Sequence, residues 1–238
     1  REAVRGGADW IEAGTPLIKS EGMESVRRLR SAFPGQVIVA DMKVADTGAL
    51  EVEMAAKAGA SVVCILGDAD DAVIAEAVRT ASVFGVRLMA DLINVSDPVA
   101  RSRELEALGV HILNAHVGID QQMIGKSSLE LLETIRGAVG IEIAVAGGLD
   151  AHTAPQASAR GADIVIVGGA ITRSADVQDS ARKVREALDA PASGYAKKIS
   201  VMEETRNLLS GVSAPNISDA MHRKGAMAGI IYLAGKKK

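Results

Sequence analysis

Gly59-Ala60-Ser61-Val62-Val63-Cys64-Ile65-Leu66-Gly67 is a short apolar run between a glycine-led approach and a glycine exit. Consecutive apolar residues of this length suit a strand covered on both faces, as in a parallel sheet. The same approach recurs: Gly7-Ala8-Asp9, Gly109-Val110-His111 and Gly161-Ala162-Asp163 each precede a further run, at spacings of 50 to 52 residues. A second series, Gly35-Gln36-Val37, Gly85-Val86-Arg87 and Gly140-Ile141-Glu142, interleaves with it at 50 and 55 residues. Each cycle holds two strand–helix units, and four cycles make eight strands. Strands are predicted at 9–13, 37–41, 61–66, 87–91, 111–115, 142–146 and 163–167, with helices at 22–33, 48–58, 70–84, 97–108, 127–137, 151–160 and 175–189. Extrapolated backwards, the second series begins before Arg1. The expected fold is therefore α/β, a (β/α)8 TIM barrel lacking its first strand in an N-terminally truncated chain. An open doubly wound sheet is the alternative; regular spacing and the lack of a GxGxxG-type loop weigh against it.

The 238 residues suffice for one large domain, or one domain plus a fragment. Hydrophobic residues make up 48% but aromatics only 2%, so the core must be built from Ala, Val, Ile, Leu and Met. A net charge of −3 gives no reason to expect nucleic acid or an anionic membrane as partner. No apolar run approaches the ~18–20 residues of a bilayer span. The single cysteine, Cys64, reads as an inert core thiol and fits a cytoplasmic location.

Barrel active sites gather at the C-terminal ends of the strands. There, Val37-Ile38-Val39-Ala40 runs into Asp41-Met42-Lys43-Val44-Ala45-Asp46. Strand alternation puts Asp41 and Lys43 on one side, with Asp46 in the loop or first helical turn beyond. Charges so placed are costly unless they bind a metal, a phosphorylated sugar or each other. Glu12 ends the neighbouring run, and two hard carboxylates suit Mg²⁺; the alternative is an ion pair of each with Lys43. Flanked by Asp41 and Asp46, Lys43 is expected to stay charged. It would then stabilise an enediolate oxygen or transfer a proton rather than form a Schiff base, unless it makes a plain salt bridge.

Asp91 repeats the place of Asp41 one cycle later; its alternative is a hydrogen-bonded structural carboxylate. His116, at another exit, can act as acid or base near neutral pH, or else is a core histidine with its bonds satisfied. Gly147-Gly148 and Gly168-Gly169 end the last two runs. Such pairs let backbone N–H groups approach an anion, so phosphate binding is expected there, with tight turns as the plainer alternative.

These stretches resemble a known group. Asp41-x-Lys43-x-x-Asp46 is similar to the signature of the orotidine-monophosphate-decarboxylase suprafamily. Glu12-Ala13-Gly14-Thr15-Pro16-Leu17-Ile18, Ala90-Asp91-Leu92-Ile93-Asn94 and His116-Val117-Gly118-Ile119-Asp120-Gln121-Gln122 look like the 3-hexulose-6-phosphate synthases, over about residues 1–190. The resemblance implies an aldolase that joins formaldehyde to ribulose 5-phosphate, or runs the reverse. It implies Mg²⁺ on Glu12 and Asp41 holding enediol oxygens, Lys43 stabilising the enediolate, His116 assisting proton transfer and Asp91 orienting water or formaldehyde. Gly147, Gly148, Gly168 and Gly169 would hold the sugar phosphate. Asp46 would reach into the partner subunit's site, implying a homodimer with shared active sites.

The related 3-keto-gulonate-6-phosphate decarboxylases typically carry Glu where this chain has Asp91, Arg where it has Ile119 and Thr where it has Ala146. All three residues here are of the synthase kind, and decarboxylation is the alternative reading. A non-catalytic scaffold or regulatory subunit is the alternative of another class. Synthases carry an aspartate in an Ala-Leu-Asp-like first strand, whose absence here is expected to lower stability or activity.

Residues 1–189 are expected to form the barrel, 190–198 a linker and 199–238 a short helical extension with its helix over 199–209. The stretch 199–230 resembles the opening of the regulator-of-ribonuclease-activity-like family; the alternative is an extension packed on the barrel or its partner.

Overall fold

The computed structural model describes residues 1–190 and the backbone of 229–232. Seven parallel strands follow chain order: β1 Trp10–Ala13, β2 Val37–Val44, β3 Val62–Leu66, β4 Arg87–Asp91, β5 Ile112–His116, β6 Glu142–Ala146 and β7 Ile164–Val167. Helices flank them: α1 Glu2–Arg5, α2 Thr15–Glu21, α3 Glu24–Ala32, α4 Gly48–Ala58, α5 Asp71–Phe84, α6 Pro98–Ala107, α7 Ile119–Met123, α8 Ser128–Arg136, α9 Ala154–Ala159, α10 Gly169–Thr172 and α11 Val177–Asp189. The barrel and the order of its seven parallel strands are as the spacing predicts. The helix expected over 22–33 is α3; α2, before it, was not expected, and the two are separated at Gly22, whose φ of +63° no right-handed helix allows.

Between β7 and β1, where the missing strand was expected, lies β8, Gly229–Tyr232. It runs antiparallel to both, with Ile230 opposite Trp10 and Tyr232 opposite Ile164. The extension expected to be helical thus contributes a strand that closes the barrel and removes two open sheet edges. The helix expected over 199–209 and the linker from 191 lie outside the described residues.

Alternation divides the core in two. Ile11, Ile38, Val63, Leu88, Leu113, Ile143 and Val165 face outward, fully buried under the helices. Trp10, Val39, Cys64, Met89, Ile112 and Ile164 face inward and fill the barrel's lower half. Burial of these strand residues on both sides explains their continuous apolar runs.

The glycine repeat has a physical basis at the N-terminal end of the barrel. Gly7, Gly59 and Gly161 adopt φ of +97°, +103° and +96°. A Cβ on each would meet the stem of one arginine: Arg185, Arg30 or Arg136 respectively. Arg30 donates to the carbonyls of Gly59 at 2.9 Å and Gln36 at 2.8 Å. Arg136 donates to the Val139 carbonyl at 3.2 Å and the Asp163 carboxylate at 3.0 Å. These guanidiniums tie the end of one helix to the start of the next strands, a stabilising role proper to this face.

Candidate active site

The strand C-termini surround a cavity of about 390 Å³. Glu12, Asp41, Lys43 and His116 line it, as do Gly147, Gly148, Gly168 and Gly169. Eight sequence-predicted residues thus meet in one place.

Lys43 reaches the site by a route that alternation does not describe. Ala40 pairs with Val63 but Val44 pairs with Ile65, so β2 carries a bulge between them. Within it Lys43 adopts φ +48°, a left-handed conformation rare for a non-glycine residue. Its Nζ lies 3.2 Å from Asp41 Oδ1 and 2.6 Å from Asp91 Oδ2. Burial opposes the ammonium charge, but Asp41 and Asp91 outweigh it and hold the Lys43 pKa well above that of an ordinary lysine. Asp46, expected to share this task, does not line the cavity. It is exposed, and its Oδ1 accepts from the Thr47 N–H at 2.7 Å.

Asp91 is almost wholly buried, at 1% exposure, and does not line the cavity. Its Oδ2 is shared between Lys43 Nζ and His116 Nδ1, the latter at 2.8 Å, and its Oδ1 accepts from the Ile93 N–H at 3.0 Å. Burial alone would raise its pKa; hydrogen bonding and charge from His116 and Lys43 bring it below the usual carboxylate range. Asp91 therefore holds two cavity groups from behind. A proton on Nδ1, facing the carboxylate, leaves Nε2 as the imidazole's free nitrogen.

Among the described residues Glu12 makes no such hydrogen bond or ion pair. Burial pushes its carboxyl up to about 8, with Asp41 and Asp91 adding to the rise and Lys43 opposing it. Thr15, at the start of α2, steadies the second carboxylate: its hydroxyl lies 2.7 Å from Asp41 Oδ2 and 2.8 Å from the Asp41 carbonyl. A buried carboxyl beside a second carboxylate suits a divalent ion. Among the described residues there is no cluster of three or more His, Cys, Asp or Glu for a metal. Mg²⁺ does not need one, since it binds through one or two carboxylates plus water and substrate oxygens. The donor set fits Mg²⁺.

The glycines have different reasons. Gly147 and Gly148 sit at φ +111° and +69°, and a Cβ on either would strike the Val117 carbonyl or the Gln122 amide. A Cβ on Gly169 would overlap the Arg173 guanidinium, whereas Gly168 faces open space. Arg173 also lines the cavity, adding a cation beside the glycine pairs. Thr15 and Gln122 stood in the quoted stretches without a role assigned to them, and Arg173 was missed, although an arginine one helical turn beyond Gly168-Gly169 is a signal.

Fold and site together define a barrel enzyme with its reactive groups at the strand C-termini. Residues 2–184 match the Orotidine 5'-phosphate decarboxylase / HUMPS family, and the chain belongs to that family. Among similar proteins, the 3-hexulose-6-phosphate synthase of Bacillus subtilis (strain 168) is 39% identical over 181 residues, spanning 76% of this chain and 86% of that one. The crystal structure of 3-hexulose-6-phosphate synthase from Salmonella typhimurium matches with a TM-score of 0.74 at 37% identity, over 76% of this chain and 86% of that one. A 3-keto-L-gulonate-6-phosphate decarboxylase from Vibrio cholerae matches less well, with a TM-score of 0.68 at 28% identity over 76% of this chain and 85% of that one.

Proposed function

We propose that the chain is an aldolase of the 3-hexulose-6-phosphate synthase type, joining formaldehyde to C1 of ribulose 5-phosphate or running the reverse. The observation that carries this reading is the shared Asp91 Oδ2, 2.6 Å from Lys43 Nζ and 2.8 Å from His116 Nδ1, beneath a cavity lined by two glycine pairs. Glu12 and Asp41 would hold Mg²⁺, which supplies positive charge for the developing enediolate. Lys43, fixed as an ammonium, adds a second positive charge at that oxygen. His116 Nε2 takes the C1 proton; C1 then bonds to the formaldehyde carbon, and the proton returns to the former aldehyde oxygen. All atoms of both substrates remain in the product. The backbone at Gly147-Gly148 and Gly168-Gly169, with Arg173, receives the phosphate. Asp91 acts as a positioning residue rather than orienting water or formaldehyde.

The likeness to the decarboxylase favours one second reading, loss of CO₂ from a 3-keto sugar-acid phosphate. Ile119 at the cavity rim and Ala146 on its wall argue for the synthase, since neither brings a charge that a carboxylated substrate would use. A homodimer is part of the proposal. Exposed Asp46 would complete a partner's site, and the exposed apolar side chains of Leu17, Leu50 and Met54, on α2 and α4, supply surface for the contact. A reducing cytoplasm suits the buried free thiol of Cys64; among the described residues no helix is long and apolar enough to cross a membrane.

Formaldehyde loss that depends on ribulose 5-phosphate, and that vanishes in Lys43→Ala, is the expected result. Formaldehyde loss unaltered by that substitution, or CO₂ release without any formaldehyde turnover, contradicts the proposal. Phosphate binding with no lyase activity would point to the scaffold reading.

A further inference from the structure

Asn114 lies on β5, two residues before His116 and on the same face, and its side chain lines the cavity. It is 6% exposed. Its Oδ1 is buried with no hydrogen-bond partner, and its side chain makes no hydrogen bond among the described residues. An uncompensated buried amide is costly, and native structures keep one where something absent from the protein itself satisfies it.

The neighbours offer nothing. Asp91, beside Asn114 in register on β4, already has both oxygens engaged. Ala144, beside it on β6, has no polar side-chain atom, and Ile112 beneath it is apolar. Whichever way the amide is turned, a donor and an acceptor are left without a partner among the described residues. A group that both accepts and donates a hydrogen bond matches that pair, and an alcohol is one. A carboxylate or an ammonium would satisfy only one end.

We propose that Asn114 is a specificity-determining residue that hydrogen-bonds a hydroxyl on the sugar's carbon chain, between its reacting carbonyl and its phosphate. This rests on the aldolase reading above. β5 carries His116 at its end and pairs with β6, which leads into Gly147-Gly148, so a substrate reaching from His116 to that glycine pair passes over Asn114. A hydroxyl bound there lets the site reject phosphorylated molecules that lack it, because the buried amide would again go unpaired. A fixed water is the other source of the same chemistry, and the test separates the two.

The experiment is calorimetric binding of ribulose 5-phosphate and of inorganic phosphate to wild-type protein and Asn114→Leu, which removes the polar atoms at similar volume. The variant is expected to bind ribulose 5-phosphate roughly ten- to a hundredfold more weakly, to bind inorganic phosphate as before, and to melt no lower than wild type. A merely structural asparagine would lower the melting temperature and leave the two ligands equally affected. Asn114→Ser, smaller and free of any clash, should show the same split between ligands. Unchanged ribulose 5-phosphate affinity in both variants overturns the inference and leaves only a bound water. Wild-type protein that binds ribulose 5-phosphate no more tightly than inorganic phosphate overturns the aldolase reading as well.

Discussion

Lys43 and Glu12 show how the same burial drives two charges apart. Lys43 has two carboxylates within 3.2 Å and stays an ammonium, which makes an imine mechanism unfavourable. Glu12 has no ion pair among the described residues, and burial, with the charges of Asp41 and Asp91, lifts its pKa from 4.5 to about 8. Without metal, the folded chain therefore binds more protons than the unfolded chain between pH 4.5 and about 8. Stability from this group must fall as pH rises through that window, and Glu12→Gln should remove its share of the slope. The expected outcome is a melting temperature for metal-free protein that drops by several degrees from pH 5 to pH 8, and a clearly smaller drop for the variant. Added Mg²⁺ should abolish the drop and release protons, seen by calorimetry in buffers of different ionisation enthalpy. Much of this site was legible in the residues, because acids and a lysine at strand ends have few plain uses. The partnership of Asp91 with His116 was not, since it depends on a contact across 25 positions of chain. Nor was the displacement of Asp46 by Asp91 as second partner of Lys43.

At the scale of elements, the clearest case is the arginine lying over a positive-φ glycine. The repeat was visible as glycines at even spacing, but the arginines that give it meaning stand in other elements and were not singled out. Arg136 joins α8 to the start of β6 and β7 through the Val139 and Ile141 carbonyls and Asp163. Arg136→Ala should destabilise the barrel by about 2–3 kcal/mol, which is a shift of roughly 4–12 °C in melting temperature. Arg136→Lys should recover little of it, because an ammonium cannot span several acceptors in one plane. Thermal melts of the three proteins at one pH check this. The bulge in β2 was equally hidden. An apolar run ending in charges gives no sign that the strand carries on to Val44 with Lys43 at φ +48°.

For the whole molecule, a ring of strands was readable because each cycle repeats the same two units. Its closure was not. Gly229-Ile230-Ile231-Tyr232 has a fair strand composition, yet nothing local says that it pairs antiparallel between the two ends of a parallel sheet. Quaternary structure is the other global matter. If Asp46 serves the partner's site, then Asp46→Ala and Lys43→Ala are each inactive alone but complement when mixed. Random re-pairing puts one intact site in half of the dimers, so the mixture should regain about a quarter of wild-type activity. No recovery after subunit exchange, with heterodimers present by mass, would place Asp46 outside the shared site.

The chemistry common to every part of the site is removal of a proton from C1 before any new carbon bond forms. Incubating the protein with Mg²⁺ and ribulose 5-phosphate in D₂O, without formaldehyde, isolates that step. Deuterium should appear at C1 by NMR, and a chelator should stop it. A protein that consumes formaldehyde with ribulose 5-phosphate yet leaves C1 unlabelled would contradict the roles given to Lys43 and His116.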